Sequence, residues 1–140
     1  MKCFAYLSHA TRPESDASLA ELAHECASAN AALDVTGVLA HANGRFAQLI
    51  EGPRDGVDHV IARINASRRH RDITVLGENA IDTRAFEGWH MLLCRREGID
   101  DELERIARHT GLTPIQADLV ARILLFVRWE GLSRASIGEP

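Results

Sequence analysis

Cysteine is scarce in this chain and is spaced for neither of its usual structural jobs. Of 140 residues only Cys3, Cys26 and Cys94 are cysteines. They form no CxxC pair, and an odd number cannot complete a disulfide framework. Each reads as a small core residue, and a reducing cytoplasm is the expected setting. Seven histidines fall in no HxH or HxxxH spacing, so no metal is expected. No apolar run approaches the ~20 residues of a membrane span, and charged residues interrupt the N-terminus too early for a secretory leader. Excess positive charge is missing as well. A net charge of −4 argues against a nucleic-acid surface. The local cluster Arg68-Arg69-His70-Arg71 reads as a solvated turn. There is no internal repeat and no low-complexity segment.

What remains is a chain that is 46% hydrophobic, enough for one domain with a real core. The patterning alternates between periods. Residues 2–8 read as a strand and 16–31 as a helix, with Ser18 and Glu21 as a capping box. Leu19, Leu22, Ala23, Cys26 and Asn30 lie on one stripe of that helix. Residues 35–41 and 45–51 read as strands joined at Asn43-Gly44, a strong hairpin signal. Pro53 suits the first turn of a second helix, with Val57, Val60, Ile61 and Ile64 as its apolar stripe and Arg63 at the border. Residues 72–82 and 87–94 read as two further strands. The order β-α-β-β-α-β-β predicts a ferredoxin-like α+β fold, two helices on one face of a mostly antiparallel sheet. Beyond it, Glu97 to Glu104 predicts a helix start, Gly111 a stop and Thr113-Pro114 another start. Ile115, Leu119, Arg122, Ile123, Phe126 and Val127 would form one face of the last helix. The expected division is 1–95 for the α+β unit, 96–132 for a helical extension and 133–140 for a flexible tail.

Three polar side chains sit where apolar ones are expected. Gln48 shares a strand face with Phe46 and Ile50. Tyr6, the only tyrosine, lies in the run Cys3-Phe4-Ala5-Tyr6-Leu7. Asn30 lies on the apolar side of its helix. A buried amide without partners costs roughly 1–3 kcal/mol, so three such groups from three elements suggest one polar, planar ligand. Taken singly, each has a plainer reading: a core aromatic, an edge-strand polar group and a helix C-terminal residue.

The ordered set Tyr6-Leu7-Ser8, Asn30, Val35-Thr36-Gly37, Phe46-Ala47-Gln48, Ile50-Glu51-Gly52-Pro53, Arg69-His70, Arg84-Ala85-Phe86 and Trp89-His90-Met91 resembles the BLUF domain, a family of blue-light sensors that use FAD. The resemblance covers roughly residues 1–95. It implies a photoreceptor rather than an enzyme, with a noncovalently bound flavin. Tyr6 matches the electron and proton donor. Gln48 matches the glutamine that links it to the flavin ring and rearranges in light. Asn30 matches the asparagine that bonds the ring's carbonyl edge, and Ser8 the hydroxyl near the tyrosine. Leu22, Phe46 and Ile64 fall where apolar residues pack on the ring, and Arg63 and His70 where residues lie near the cofactor. Trp89 and Met91 match a pair on the last strand that exchanges places and relays the signal.

Departures from the family pattern are Ala29, His41, Ser67 and Asn79, which touch the edge and phosphate side of the site. They leave the choice between FAD and FMN open. No cyclase or phosphodiesterase domain is present in the sequence, so the expected output is contact with an unidentified signalling protein or a change in assembly, with a dimer as the expected oligomer. The competing readings are a flavin-free interaction domain of the same fold and a small enzyme such as an acylphosphatase. The latter lacks a phosphate-cradling loop with an arginine beside the first strand.

Overall fold

Strand alternation splits the sheet residues into two apolar faces, and the computed structural model buries both. It describes residues 1–94, 108 and 111–138, with side chains described as far as 128. The elements are β1 (Lys2–Ala10), α1 (Asp16–Ala32), β2 (Thr36–Ala42), β3 (Arg45–Gly52), α2 (Arg54–Ala66), β4 (His70–Ala80), β5 (Leu92–Cys94) and a final helix, α3 (Pro114–Gly138). The sheet order is β4-β1-β3-β2-β5. All pairings are antiparallel except β2 with β5. The fold is the expected ferredoxin-like α+β arrangement, with a helix covering the second face.

On one face Phe4, Tyr6, Leu39, Phe46 and Ile50 pack against Leu19 and Ala23 of α1 and Val57, Val60 and Ile64 of α2. On the other, Cys3, Ala5, Val38, Ala40, Ala47, Leu49 and Cys94 meet Leu119, Val120, Ile123, Phe126 and Val127 of α3. The second face is mostly small side chains, so α3 can lie close to the strands. Gly37 shows how tight the centre is, since a Cβ there would stand 2.1 Å from the Leu49 carbonyl oxygen.

Several local expectations shift. The capping box of α1 is Ser15 with Ser18, each backbone N–H donating to the other's hydroxyl at 3.0 and 2.8 Å, because the helix starts at Asp16 and places Ser15 at the N-cap. The strand expected over 87–94 contracts to Leu92–Cys94. Upstream, the chain turns at Gly88 (φ 87°), and the Trp89 N–H goes to the Phe86 oxygen. The α3 face is rotated from expectation. Gln116 is buried and Ile115 is 52% exposed, because Thr113 and Gln116 form the helix's own capping box and the Gln116 amide also bonds the Thr83 carbonyl. Arg122 faces outward to Asp118. The α3 backbone is helical as far as Gly138. The helix start expected at Glu97–Glu104 lies outside the described residues.

Candidate functional site

A cleft of about 240 Å³ opens between α1 and α2 over the sheet. Its floor is Tyr6, Leu39, Phe46 and Gln48, and its walls include Leu22, Cys26 and Asn30 from α1 and Val60, Arg63 and Ile64 from α2. The strand register explains the floor. Tyr6 and Gln48 are directly opposed on neighbouring strands, and both point to the helix side. The Tyr6 hydroxyl donates to Gln48 Oε1 at 2.5 Å. Gln48 Nε2 is directed at Met91 Sδ, 3.8 Å away, and sulfur is a weak acceptor. Gln48 is therefore held firmly at its oxygen and loosely at its nitrogen. Burial, with a smaller contribution from the Cys26 thiol, drives the Tyr6 phenol far above its ordinary pKa, so the hydroxyl keeps its proton at any physiological pH.

Asn30 is fully buried near the end of α1. Its Nδ2 donates to the His90 carbonyl at 3.0 Å, and its Oδ1 accepts from Arg63 Nη2 at 3.1 Å. His70 spans the turn after α2. Its Nε2 lies 2.9 Å from the Ile64 carbonyl, which can only accept, so Nε2 carries a proton, and Nδ1 lies 2.7 Å from Ser8 Oγ. The mouth carries Arg63, Arg69 and Glu25. Arg69 is ion-paired with the enclosed carboxylate of Glu14, 3.3 Å away.

Of the residues expected at the site, Tyr6, Leu22, Asn30, Phe46, Gln48, Arg63, Ile64 and His70 line the cleft. Ser8 and Met91 sit one bond behind it, through His70 and Gln48. Trp89 is turned outward, 41% exposed, with its carbonyl accepting from Gly37 N–H.

The residue that sequence reasoning passed over is Glu51. It is 1% exposed, and its two oxygens accept from the backbone N–H groups of Ala85 at 2.9 Å and Phe86 at 2.5 Å. Burial pushes its carboxyl above the usual range, against the pull of those N–H groups, Arg84 and Thr36. Arg84 completes the clamp by donating to Thr36 Oγ1 at 2.9 Å and to the Asp34 carbonyl at 2.8 Å. The signal was in the alternation. Glu51 shares a face with Ala47 and Leu49, as awkward for an acid as the opposite face is for Gln48. The segment from Arg84 to Met91 is thus pinned to β3 at one end and to the cleft residues Asn30 and Gln48 at the other.

The donor set suits a flat heteroaromatic ring. Apolar side chains flank a slot whose polar groups are an amide with a weakly held N–H, a second amide, an imidazole and a guanidinium. A flavin ring, apolar on its faces and rich in acceptors along one edge, fits those residues. Among the described residues no cluster of three metal-ligating side chains occurs, and no helix is long and apolar enough to cross a membrane.

Comparison with known proteins agrees with this geometry. Residues 1–92 match the family model described as BLUF, sensors of blue-light using FAD. Subunit beta of the photoactivated adenylate cyclase of Euglena gracilis is 37% identical over 127 residues, 85% of this chain and 15% of that protein. Subunit alpha is 31% identical over 112 residues, 79% of this chain and 10% of that protein. The chain therefore spans only a small part of the curated relatives it matches. Among solved structures, Klebsiella pneumoniae BlrP1 in a calcium and cyclic diGMP complex superposes with a TM-score of 0.75 at 28% identity, over 91% of this chain and 34% of that one. BlrB, a BLUF protein in its dark state, gives 0.67 at 26% identity, over 94% and 96%. With its family model covering the first four strands, both cleft helices and the Tyr6–Gln48 pair, the chain belongs to the BLUF family of blue-light sensors that use FAD.

Proposed function

We propose that this chain is a blue-light receptor that holds a flavin in the α1–α2 cleft and uses the Gln48 amide as its switch. The observation that carries the reading is the Tyr6–Gln48 hydrogen bond of 2.5 Å on the cleft floor. When bound, the flavin supplies absorption of blue light and, once excited, an acceptor for an electron. The protein's contribution is the handling of a proton and the geometry around it. Tyr6 cannot ionise in its buried setting, so losing an electron requires its hydroxyl proton to move as well, and Gln48 Oε1 stands ready to receive it. Gln48 can then be redirected at little cost, because its Nε2 is tied only to a thioether. An amide turned end for end would present N–H groups to Tyr6 and oxygen toward Met91, releasing the Met91 contact.

Met91 lies at the end of the clamped 84–91 segment and beside Leu92, which packs in the α3 core. A change at Gln48 is therefore positioned to reach the far face of the sheet. Asn30 and Arg63 would hold the ring edge, His70 would stand beside it with both ring nitrogens bonded to the protein, and Leu22, Phe46 and Ile64 would pack on the ring. Both FAD and FMN would suit the cleft, since the apolar slot would take the ring that they share, and Arg63 and Arg69 in its lining would suit a phosphate. The output passes to a partner protein of the cytoplasm or through assembly of the chain itself. The three free cysteines fit that reducing compartment.

The test is optical. The purified chain, as isolated or reconstituted with FAD or FMN, should be yellow and show a small, reversible red shift of its flavin band under blue light. A chain that takes up neither flavin would instead be an interaction domain on the same scaffold.

A further inference from the structure

One side of α3 is left over after the core is made. Its buried side uses Gln116, Leu119, Val120, Ile123, Phe126 and Val127. Along another side run Ile115, Asp118, Arg122 and Leu125, spaced three, four and three residues apart, the spacing of a coiled-coil seam. Ile115 is 52% and Leu125 62% exposed. Between them Arg122 Nε and Asp118 Oδ2 pair at 2.9 Å, with side chains 53% and 60% exposed.

We propose that this stripe is a dimer surface on which α3 pairs with the α3 of a second copy of this chain, antiparallel and two-fold symmetric about the level of Val120. The stripe is its own complement in that orientation alone. Ile115 and Leu125 lie equally far from Val120, and so do Asp118 and Arg122. Antiparallel pairing sets Ile115 against the partner's Leu125 and Asp118 against the partner's Arg122. The four charges then alternate around the axis, with an apolar layer on either side. An in-register parallel pair would oppose like charges at both central positions, which costs stability. An unrelated partner would have to supply the mirrored sequence of apolar, basic, acidic and apolar groups that a second copy already carries. Two apolar layers make a small interface, so the dimer is concentration-dependent. The flavin is not part of it, and the experiment is done in the dark.

The measurement is sedimentation equilibrium of the whole chain from about 1 to about 300 μM, a range that brackets a weak dimer. Wild type should show a monomer–dimer equilibrium. Asp118→Arg and Arg122→Asp should each raise the dimer Kd about tenfold or more, and the double exchange should restore it to within about threefold. Leu125→Glu should abolish the dimer. All four positions are exposed, so thermal unfolding of the variants should match wild type. Orientation is read by oxidation: chains carrying Ile115→Cys should cross-link to chains carrying Leu125→Cys, and neither should cross-link to itself. A wild-type monomer at the highest concentration overturns the proposal. So does a dimer indifferent to Leu125→Glu, a double exchange that fails to restore binding, or self-cross-linking at position 125.

Discussion

Asn30 donates its side-chain amide to the backbone oxygen of His90, sixty residues further along the chain. The bond joins the α1 wall of the α1–α2 cleft to the stretch that carries Trp89 and Met91. Whatever occupies the cleft beside Asn30 therefore bears on that stretch through one hydrogen bond as well as through Gln48. Asn30→Asp keeps the Arg63 contact and removes the donor. The His90 oxygen would be left facing a carboxylate, at a cost of about 2 kcal/mol. Native-state hydrogen exchange should show the Gly37 amide, which is bonded to the Trp89 oxygen, exchanging faster in this variant. An unchanged rate would mean that the stretch is held without Asn30.

Tyr6→Phe should bind flavin and lose the light-induced red shift. Ring packing against Phe4 and His70 survives the change, while the oxidisable phenol and its proton do not. A normal reversible shift in this variant would remove Tyr6 from the switch.

Gln48→Leu should also stay coloured and become blind to light. Leucine fills similar volume with neither donor nor acceptor, so Tyr6 loses its partner. Binding should persist because the cleft's apolar walls remain, at about 25 cal/mol per Å² of area removed from water. The check is a light-minus-dark difference spectrum, and a retained red-shifted product would place the switch elsewhere.

Glu51→Ala should cost about 3 kcal/mol at pH 7, because two buried N–H groups lose their acceptors. Glu51 also imposes a pH dependence. Its carboxyl is raised on folding above the ordinary value of 4.5. The stability tied to the protonated form is complete below that value and is lost as pH rises through the folded one. Urea unfolding should therefore show wild type losing stability relative to Glu51→Gln as pH climbs from about 4.5 toward neutrality, with a constant difference at higher pH. A flat difference throughout would mean that Glu51 does not titrate differently on folding.

Deleting residues 97–140 should leave a chain that still colours with flavin but aggregates. The face under Leu119, Ile123 and Phe126 would be bared, and contiguous apolar surface of that kind associates. Light scattering against the full chain decides it, and a soluble truncated monomer would show that the face tolerates water.

The site was legible in this sequence to the extent that buried polarity is visible in a period. Tyr6, Asn30 and Gln48 each break an apolar pattern at a predictable phase, and the structure brings them to one cleft. Glu51 breaks the pattern just as clearly, but its partners are backbone N–H groups of a loop, which leave no side-chain signature. The strand expected over 87–94 was misread for a related reason. Its residues suit a strand, yet their hydrogen bonds go to Gly37, Asn30 and a turn at Gly88, and only tertiary contacts decide that. The α3 face was rotated because periodicity admits Ile115 on the buried stripe, whereas the Thr113–Gln116 cap and the Thr83 contact place Gln116 there instead.

The burial of Tyr6 also bears on the proposed switch. A phenol that keeps its proton, facing an amide acceptor at 2.5 Å, would form a closed circuit. The proton has a nearby place to wait and a short way back, without trading places with bulk water. If the proposed switch runs through this pair, it consumes nothing, and the return from the lit state depends on one hydrogen-bonded pair rather than on the medium. A change of buffer should then leave the rate of dark recovery unaltered.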